Sequence, residues 1–219
     1  MNDGLLTGGR AHGEHGHGDP GLLALQQTHL FRLGSLEVRI AHLLPFVEQA
    51  GIDLLVIHCT ELPDLAMARS FAERVHYPES GTGNCGHYTI DRDGSIEQWV
   101  PDDRIAHHVR GYNARSIGIE LVNLGRYPDW LSSRQVMNEP YPQPQLAALV
   151  ALLAALARTL PGLRWIAGHE DLDQEEVPAS DSPGQTVRRK RDPGPMFPWS
   201  ELMSGTSLQR LYEKGKEQT

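Results

Sequence analysis

The sequence predicts an α/β fold, and three observations carry that prediction. Short apolar, β-branched runs occur at Ile52 to His58, Ser116 to Asn123 and Leu163 to Ala167. A long Ala/Leu-rich stretch, Gln145 to Leu160, lies between the second and third of these runs. Two of the runs, the first and the third, deliver a histidine at or just after their carboxyl end, where α/β proteins place their sites.

Composition bounds the rest. A chain of 219 residues suits one domain with extensions. A formal net charge of -8 supplies no field to recruit phosphates, so no nucleic-acid partner is expected. No basic segment followed by an apolar one opens the chain, and no apolar run is long enough to span a bilayer. The expectation is a cytoplasmic protein without membrane insertion, unless a non-classical route exports it, acting as a monomer. Two cysteines, Cys59 and Cys85, are too few for a disulfide scaffold and read as free thiols.

Residues 1–20 are rich in Gly and His and cannot bury apolar surface, which predicts a disordered tail. From Gly21 the apolar spacing turns helical, with Leu36, Ile40, Leu43, Leu44 and Val47 on one stripe broken by Pro45. Residues 21–50 are therefore expected to be a helical extension. Gly51 then introduces a buried strand on which Ile52, Leu54, Val56 and His58 share a face. Pro63 to about His76 reads as a helix, and 79–86 as a loop that lacks the Lys-Ser/Thr of a phosphate loop. His87 to Asp91 and Ser95 to Val100 flank Asp93-Gly94, a hairpin signal.

In Ser116 to Asn123, Ile117, Ile119 and Leu121 take one face, and Gly118, Glu120 and Val122 the other. A carboxylate on so apolar a strand is costly unless it has a partner or a task, which singles out Glu120. Residues 124–144 are irregular and aromatic, as site walls often are. The helix from Gln145 is stopped by Pro161-Gly162, and a strand leads to His169. A polar, acidic loop spans 174–181. The basic run Arg188 to Arg191 ends at Asp192, and 204–219 reads as a tail.

His58, His169 and Asp192 together make a plausible zinc ligand set. Three protein ligands leave a fourth position for water, which distinguishes a catalytic site from a closed one. Glu120 would then serve as the acid/base and Lys190 would stabilise developing negative charge. Lysine is scarce, at Lys190, Lys214 and Lys216 only, although four adjacent cations are ordinarily a solvated loop. The pattern contains neither HExxH nor Cys-x-x-Cys, so spacing by itself leaves the reading open.

Five segments resemble one family: Val56 to His58, Gly86 to Gly94, Ser116 to Leu121, Gly168 to Asp171 and Lys190 to Phe197. In this order they resemble the zinc-dependent N-acetylmuramoyl-L-alanine amidases, the AmpD-like relatives of phage amidases and peptidoglycan recognition proteins. The resemblance implies a central mixed β-sheet flanked by helices over residues 51–203. It also implies one catalytic Zn2+ on His58, His169 and Asp192, with Glu120 and Lys190 catalytic. His87, His108 and Asn113 fall where the family lines its substrate groove. The implied reaction is hydrolysis of the amide between the lactyl group of N-acetylmuramic acid and L-alanine. The implied substrates are muropeptides, in their soluble anhydro form if the protein works in cell-wall recycling. The competing expectations are a binding module that holds muropeptides without cleaving them, and an exported amidase directed at polymeric wall.

Overall fold

The computed structural model describes residues 32–33, 51–78, 81 and 83–212. The expected tail, and the helical extension apart from Arg32–Leu33, lie outside the described residues, as does the end of the chain beyond 212.

The elements in chain order are β1 (Arg32–Leu33), β2 (Leu54–Cys59), α1 (Leu65–Ala72), β3 (Tyr88–Ile90), β4 (Ile96–Gln98), β5 (Ser116–Leu121), α2 (Gln143–Thr159), β6 (Trp165–Gly168), α3 (His169–Leu172), β7 (Glu176–Pro178), β8 (Thr186–Arg188), α4 (Trp199–Ser204) and β9 (Gln209–Arg210). Seven strands form one sheet in the order β1-β4-β3-β5-β2-β6-β9. Only β3 and β4 pair antiparallel; every other neighbour in it is parallel, so the sheet is mixed as expected. Arg32–Leu33, inside the stretch expected to be helical, is a strand paired with β4.

The three central strands are buried on both faces, which is why their sequences run nearly without polar residues. On one face Leu55, Ile57, Ile117, Ile119 and Ile166 meet Leu149, Leu152, Leu153 and Leu156 of α2. Each such leucine contributes about 1.5–3 kcal/mol of burial. Gln145 fixes the entry of α2, its amide donating to the carbonyls of Ile90 at 2.9 Å and Val122 at 3.1 Å. The opposite face carries a smaller cluster of Leu54, Val56, Val109, Ala167 and Leu172. By alternation His58 and Glu120 fall on this second face, away from α2.

The hairpin at Asp93-Gly94 forms with Gly94 at φ +88°. Helix α1 is shorter than the sequence suggested and is capped by Asp64, whose carboxylate accepts from the Met67 N–H at 2.8 Å. Three segments differ from expectation. The loop after His169 begins with one helical turn, α3. Part of the acidic stretch at 174–181 pairs with 186–188 as the β7–β8 hairpin. The polar region after α4 supplies β9, an edge strand beside β6. Such two- and three-residue strands have no hydrophobic period to read; the partner strand creates them.

Candidate metal centre

His58 is the penultimate residue of β2, His169 opens α3 directly after β6, and Asp192 follows the basic run. All three are buried, and each offers a ligand atom within 4.8 Å of the others. Asp192 Oδ2 lies 2.9 Å from His58 Nδ1 and 3.1 Å from His169 Nδ1. Ligand atoms of a tetrahedral zinc site stand roughly 3.4 Å apart, so the triangle is close to that geometry. The set has spare capacity as well. Asp192 Oδ1 and His169 Nε2 are buried without a hydrogen-bond partner among the described residues. Two imidazoles and a carboxylate, with unspent polar atoms and no apolar filler between them, fit a divalent cation of zinc's kind.

Electrostatics agree with that arrangement. Burial works against ionisation of Asp192, but the neighbouring His169, hydrogen bonds from both imidazoles and Lys190 outweigh it. Its carboxyl therefore stays well below the usual range. Burial holds the His169 imidazole below its ordinary value, against the pull of Asp192, which favours the neutral form that metal binding requires. Loss of solvent pushes the Glu120 carboxyl up, opposed by His58. A carboxyl raised in this way is suited to accept and return a proton.

These groups share one cleft of about 420 Å³, lined by His58, His169, Asp192, Glu120 and Lys190. Lys190 is half-buried at its rim rather than part of a solvated basic run. Its neighbours take other tasks. Arg188 donates to the carbonyls of Glu170 and Asp173, Arg189 pairs with Asp173 and Glu175, and Arg191 donates to the carbonyl of Gln135. Residues 124–144 do form a wall: Trp130 and Leu131 line the cleft, and Trp130 Nε1 donates to the Glu61 carbonyl at 3.0 Å.

Of the three residues expected to line the groove, His108 lines the cleft, and His87 and Asn113 do not. His87 is fully buried, its Nδ1 accepting from the Gly118 N–H at 3.0 Å and its Nε2 donating to the Arg104 carbonyl at 3.0 Å. Asn113 Oδ1 accepts the N–H groups of His108 at 3.1 Å and Val109 at 2.8 Å. Neither appears among the residues lining the cleft; His108 does, while contacting His58. His87 and His108 are buried, their ring nitrogens committed to the backbone, to Ser116 Oγ and to His58.

Residues that the sequence did not announce also shape the site. Arg126 and Glu61 form a buried bidentate pair, Nε to Oε1 at 2.5 Å and Nη2 to Oε2 at 2.7 Å. Arg126 also donates to the carbonyls of Arg188 and Arg189, immediately before Lys190. One arginine in an irregular segment carries no periodic signal, so nothing in the sequence marked it. Cys59 and Cys85 are buried and unbridged, as expected.

The comparisons with known proteins match this geometry. AmpD of Enterobacter cloacae, a 1,6-anhydro-N-acetylmuramyl-L-alanine amidase, is 34% identical over 141 residues, 60% of this chain and 59% of that relative. The chain thus spans less than two thirds of that relative's length. The endolysin of Klebsiella phage KP32 is 26% identical over 137 residues, 62% of this chain and 86% of the endolysin. The solved amidase AmiD from E. coli, in complex with anhydro-N-acetylmuramic acid-L-Ala-D-gamma-Glu-L-Lys, superposes with a TM-score of 0.54 at 25% identity, covering 71% of this chain and 57% of AmiD. The sequence profile of the N-acetylmuramoyl-L-alanine amidases matches residues 48–195, a span that holds every residue of the cleft named above. With that profile over most of the chain and the mixed sheet beneath the His-His-Asp cluster, the protein belongs to the N-acetylmuramoyl-L-alanine amidase family.

Proposed function

We propose that this protein is a zinc-dependent amidase that hydrolyses the bond between the lactyl group of N-acetylmuramic acid and L-alanine of muropeptides. The observation that carries the reading is the convergence of His58, His169 and Asp192 in the cleft that also holds Glu120 and Lys190. Zinc on the three ligands supplies Lewis acidity to the scissile carbonyl and to a water molecule. Glu120 takes a proton from the attacking water and passes it to the departing amine, so that one water yields one carboxylic acid and one amine. The Lys190 ammonium faces the negative charge that develops on the carbonyl oxygen. Trp130 and Leu131 offer an apolar wall to a sugar or peptide.

The preferred substrate in this proposal is a soluble anhydromuropeptide, turned over by a monomer in the cytoplasm as part of cell-wall recycling. The name of the Enterobacter cloacae relative and the ligand of AmiD support that choice. The phage endolysin at 26% identity favours a second reading, action on polymeric wall. A loss of zinc ligands, which would favour a binding module, is not seen.

The test is mass spectrometry of anhydromuramyl-tripeptide after incubation with zinc-loaded protein, beside a chelated sample. Free tripeptide in the zinc sample only is the expected result. Intact substrate with zinc demonstrably bound would overturn the soluble-substrate reading, and purified peptidoglycan would then separate wall hydrolysis from mere binding.

A further inference from the structure

The aromatic segment at 124–144 holds a side chain that the reaction steps above leave unused. Trp130 lines the cleft and is 36% exposed, whereas Trp99, which lines it too, is 2% exposed. Trp99 is filling, then, and Trp130 presents indole surface to the space inside. That indole is held from three directions. Its Nε1–H donates to the Glu61 carbonyl at 3.0 Å, and the Glu61 carboxylate is itself paired with Arg126. Tyr127 meets the ring edge-on, centroids 5.6 Å apart and planes at 78°. The Trp130 carbonyl accepts from the Gln135 amide at 3.3 Å, and the same amide donates to the Arg188 carbonyl at 2.5 Å. The ring is thereby tied to the segment just after His58 through Glu61, and to the run leading to Lys190 through Gln135. Beside it, the Leu131 carbonyl accepts from the Ser180 N–H at 2.8 Å.

What such a ring can bind follows from what it has left to offer. An indole has one N–H, and here it is spent on Glu61, so no donor remains for a peptide carbonyl or carboxylate. The face of the ring carries partial negative charge, which repels a carboxylate and attracts C–H groups of partial positive charge. A pyranose ring is neutral, and its oxygens polarise its C–H bonds in that sense. The carboxylates of a stem peptide suit the cationic part of the lining, Arg189 and Lys190.

We propose that Trp130 is the platform on which the pyranose ring of N-acetylmuramic acid stacks, with Leu131 extending the apolar surface beside it. The 124–144 segment then reads the sugar side of the substrate. This rests on the muropeptide reading above and deepens it by assigning a binding residue to the sugar.

The first experiment needs no variant and no turnover. 1,6-Anhydro-N-acetylmuramic acid, which has no amide to cleave, is added to the full chain, and intermolecular NOEs are recorded by NMR. Contacts from the pyranose C–H protons to the Trp130 indole are expected. No binding of the sugar, or contacts to other residues only, would overturn the stack. The second experiment compares two substrates that differ only in the sugar: anhydromuramyl-tripeptide, and D-lactyl-tripeptide, which keeps the scissile amide and lacks the pyranose. In Trp130→Leu the KM for anhydromuramyl-tripeptide is expected to rise about 10-fold with kcat unchanged, while kcat/KM for D-lactyl-tripeptide stays at the wild-type level. Trp130→Phe, which restores a ring face without an N–H, is expected to stay within about 3-fold of wild type on both. Equal losses on the two substrates, equal losses in the two variants, or a wild-type KM in Trp130→Leu would overturn the proposal. If the protein cleaves neither substrate, the amidase reading fails, and the sugar contacts in the first experiment still decide the role of Trp130. They decide it as well if Trp130→Leu does not fold.

Discussion

His58 and Glu120 stand directly opposite each other in the parallel register of β2 and β5. Side chains at paired positions of neighbouring parallel strands project to the same face, so one register sets the distance between the proposed metal ligand and the proposed acid/base. A slip of one residue would send Glu120 into the apolar layer under α2. Glu120→Gln keeps the shape and removes the proton acceptor. Turnover is expected to fall by about 10²–10⁴-fold, with zinc content unchanged. Wild-type turnover in this variant, at full zinc occupancy, would remove Glu120 from the chemistry.

Asp192 Oδ2 lies between the two imidazoles, within 3.1 Å of the Nδ1 of each. In Asp192→Ala the imidazoles lose the one anionic member of the set. Zinc content after dialysis against a weak chelator is expected to drop by at least about 10-fold, and turnover with it. Zinc retained at the wild-type level would exclude Asp192 as a ligand.

Arg126 is a strut. Its pairing with Glu61 is buried, and its remaining donors hold the backbone that precedes Lys190. Arg126→Ala leaves Glu61 without its partner, which costs about 3–5 kcal/mol. Thermal denaturation should show a Tm lower by roughly 10 °C. The double variant Glu61→Leu/Arg126→Leu is expected to regain most of the stability but not the turnover, because the Arg189 carbonyl next to Lys190 loses its Arg126 donor. A double variant with full activity would show that the strut does not serve Lys190.

His87 gives the protein an acid-sensitive point. Burial lowers its imidazole from 6.5 to about 4, with the Arg104 carbonyl opposing the shift. Above pH 6.5 the ring is neutral both folded and unfolded, so nothing is lost. Between pH 6.5 and 4 only the unfolded chain gains the proton, and stability falls by roughly 3 kcal/mol across that window. In His87→Asn, urea denaturation as a function of pH should show a total loss of stability between pH 6.5 and 4 that is smaller by that amount. Identical slopes in the two proteins would assign the acid sensitivity elsewhere.

What the sequence determined by itself was the set of elements that carry strong periodicity, and the residues they deliver. The strands ending at His58 and bearing Glu120, the helix of Leu149 to Leu156 and the Asp93-Gly94 turn follow from local patterning, because a buried face must be apolar at a fixed spacing. The unusual acid on β5 stood out for the same reason. The tertiary structure alone decided the rest. It converted the acidic loop into a hairpin, added β9 at the sheet edge, and turned Arg126 into a buried strut. It also moved His87 and Asn113 away from the cleft and set His108 against His58, since a side chain's role there depends on partners that are 5 to 65 positions away in the chain. Short-range pattern specifies which face a residue occupies; only packing specifies what it meets on that face.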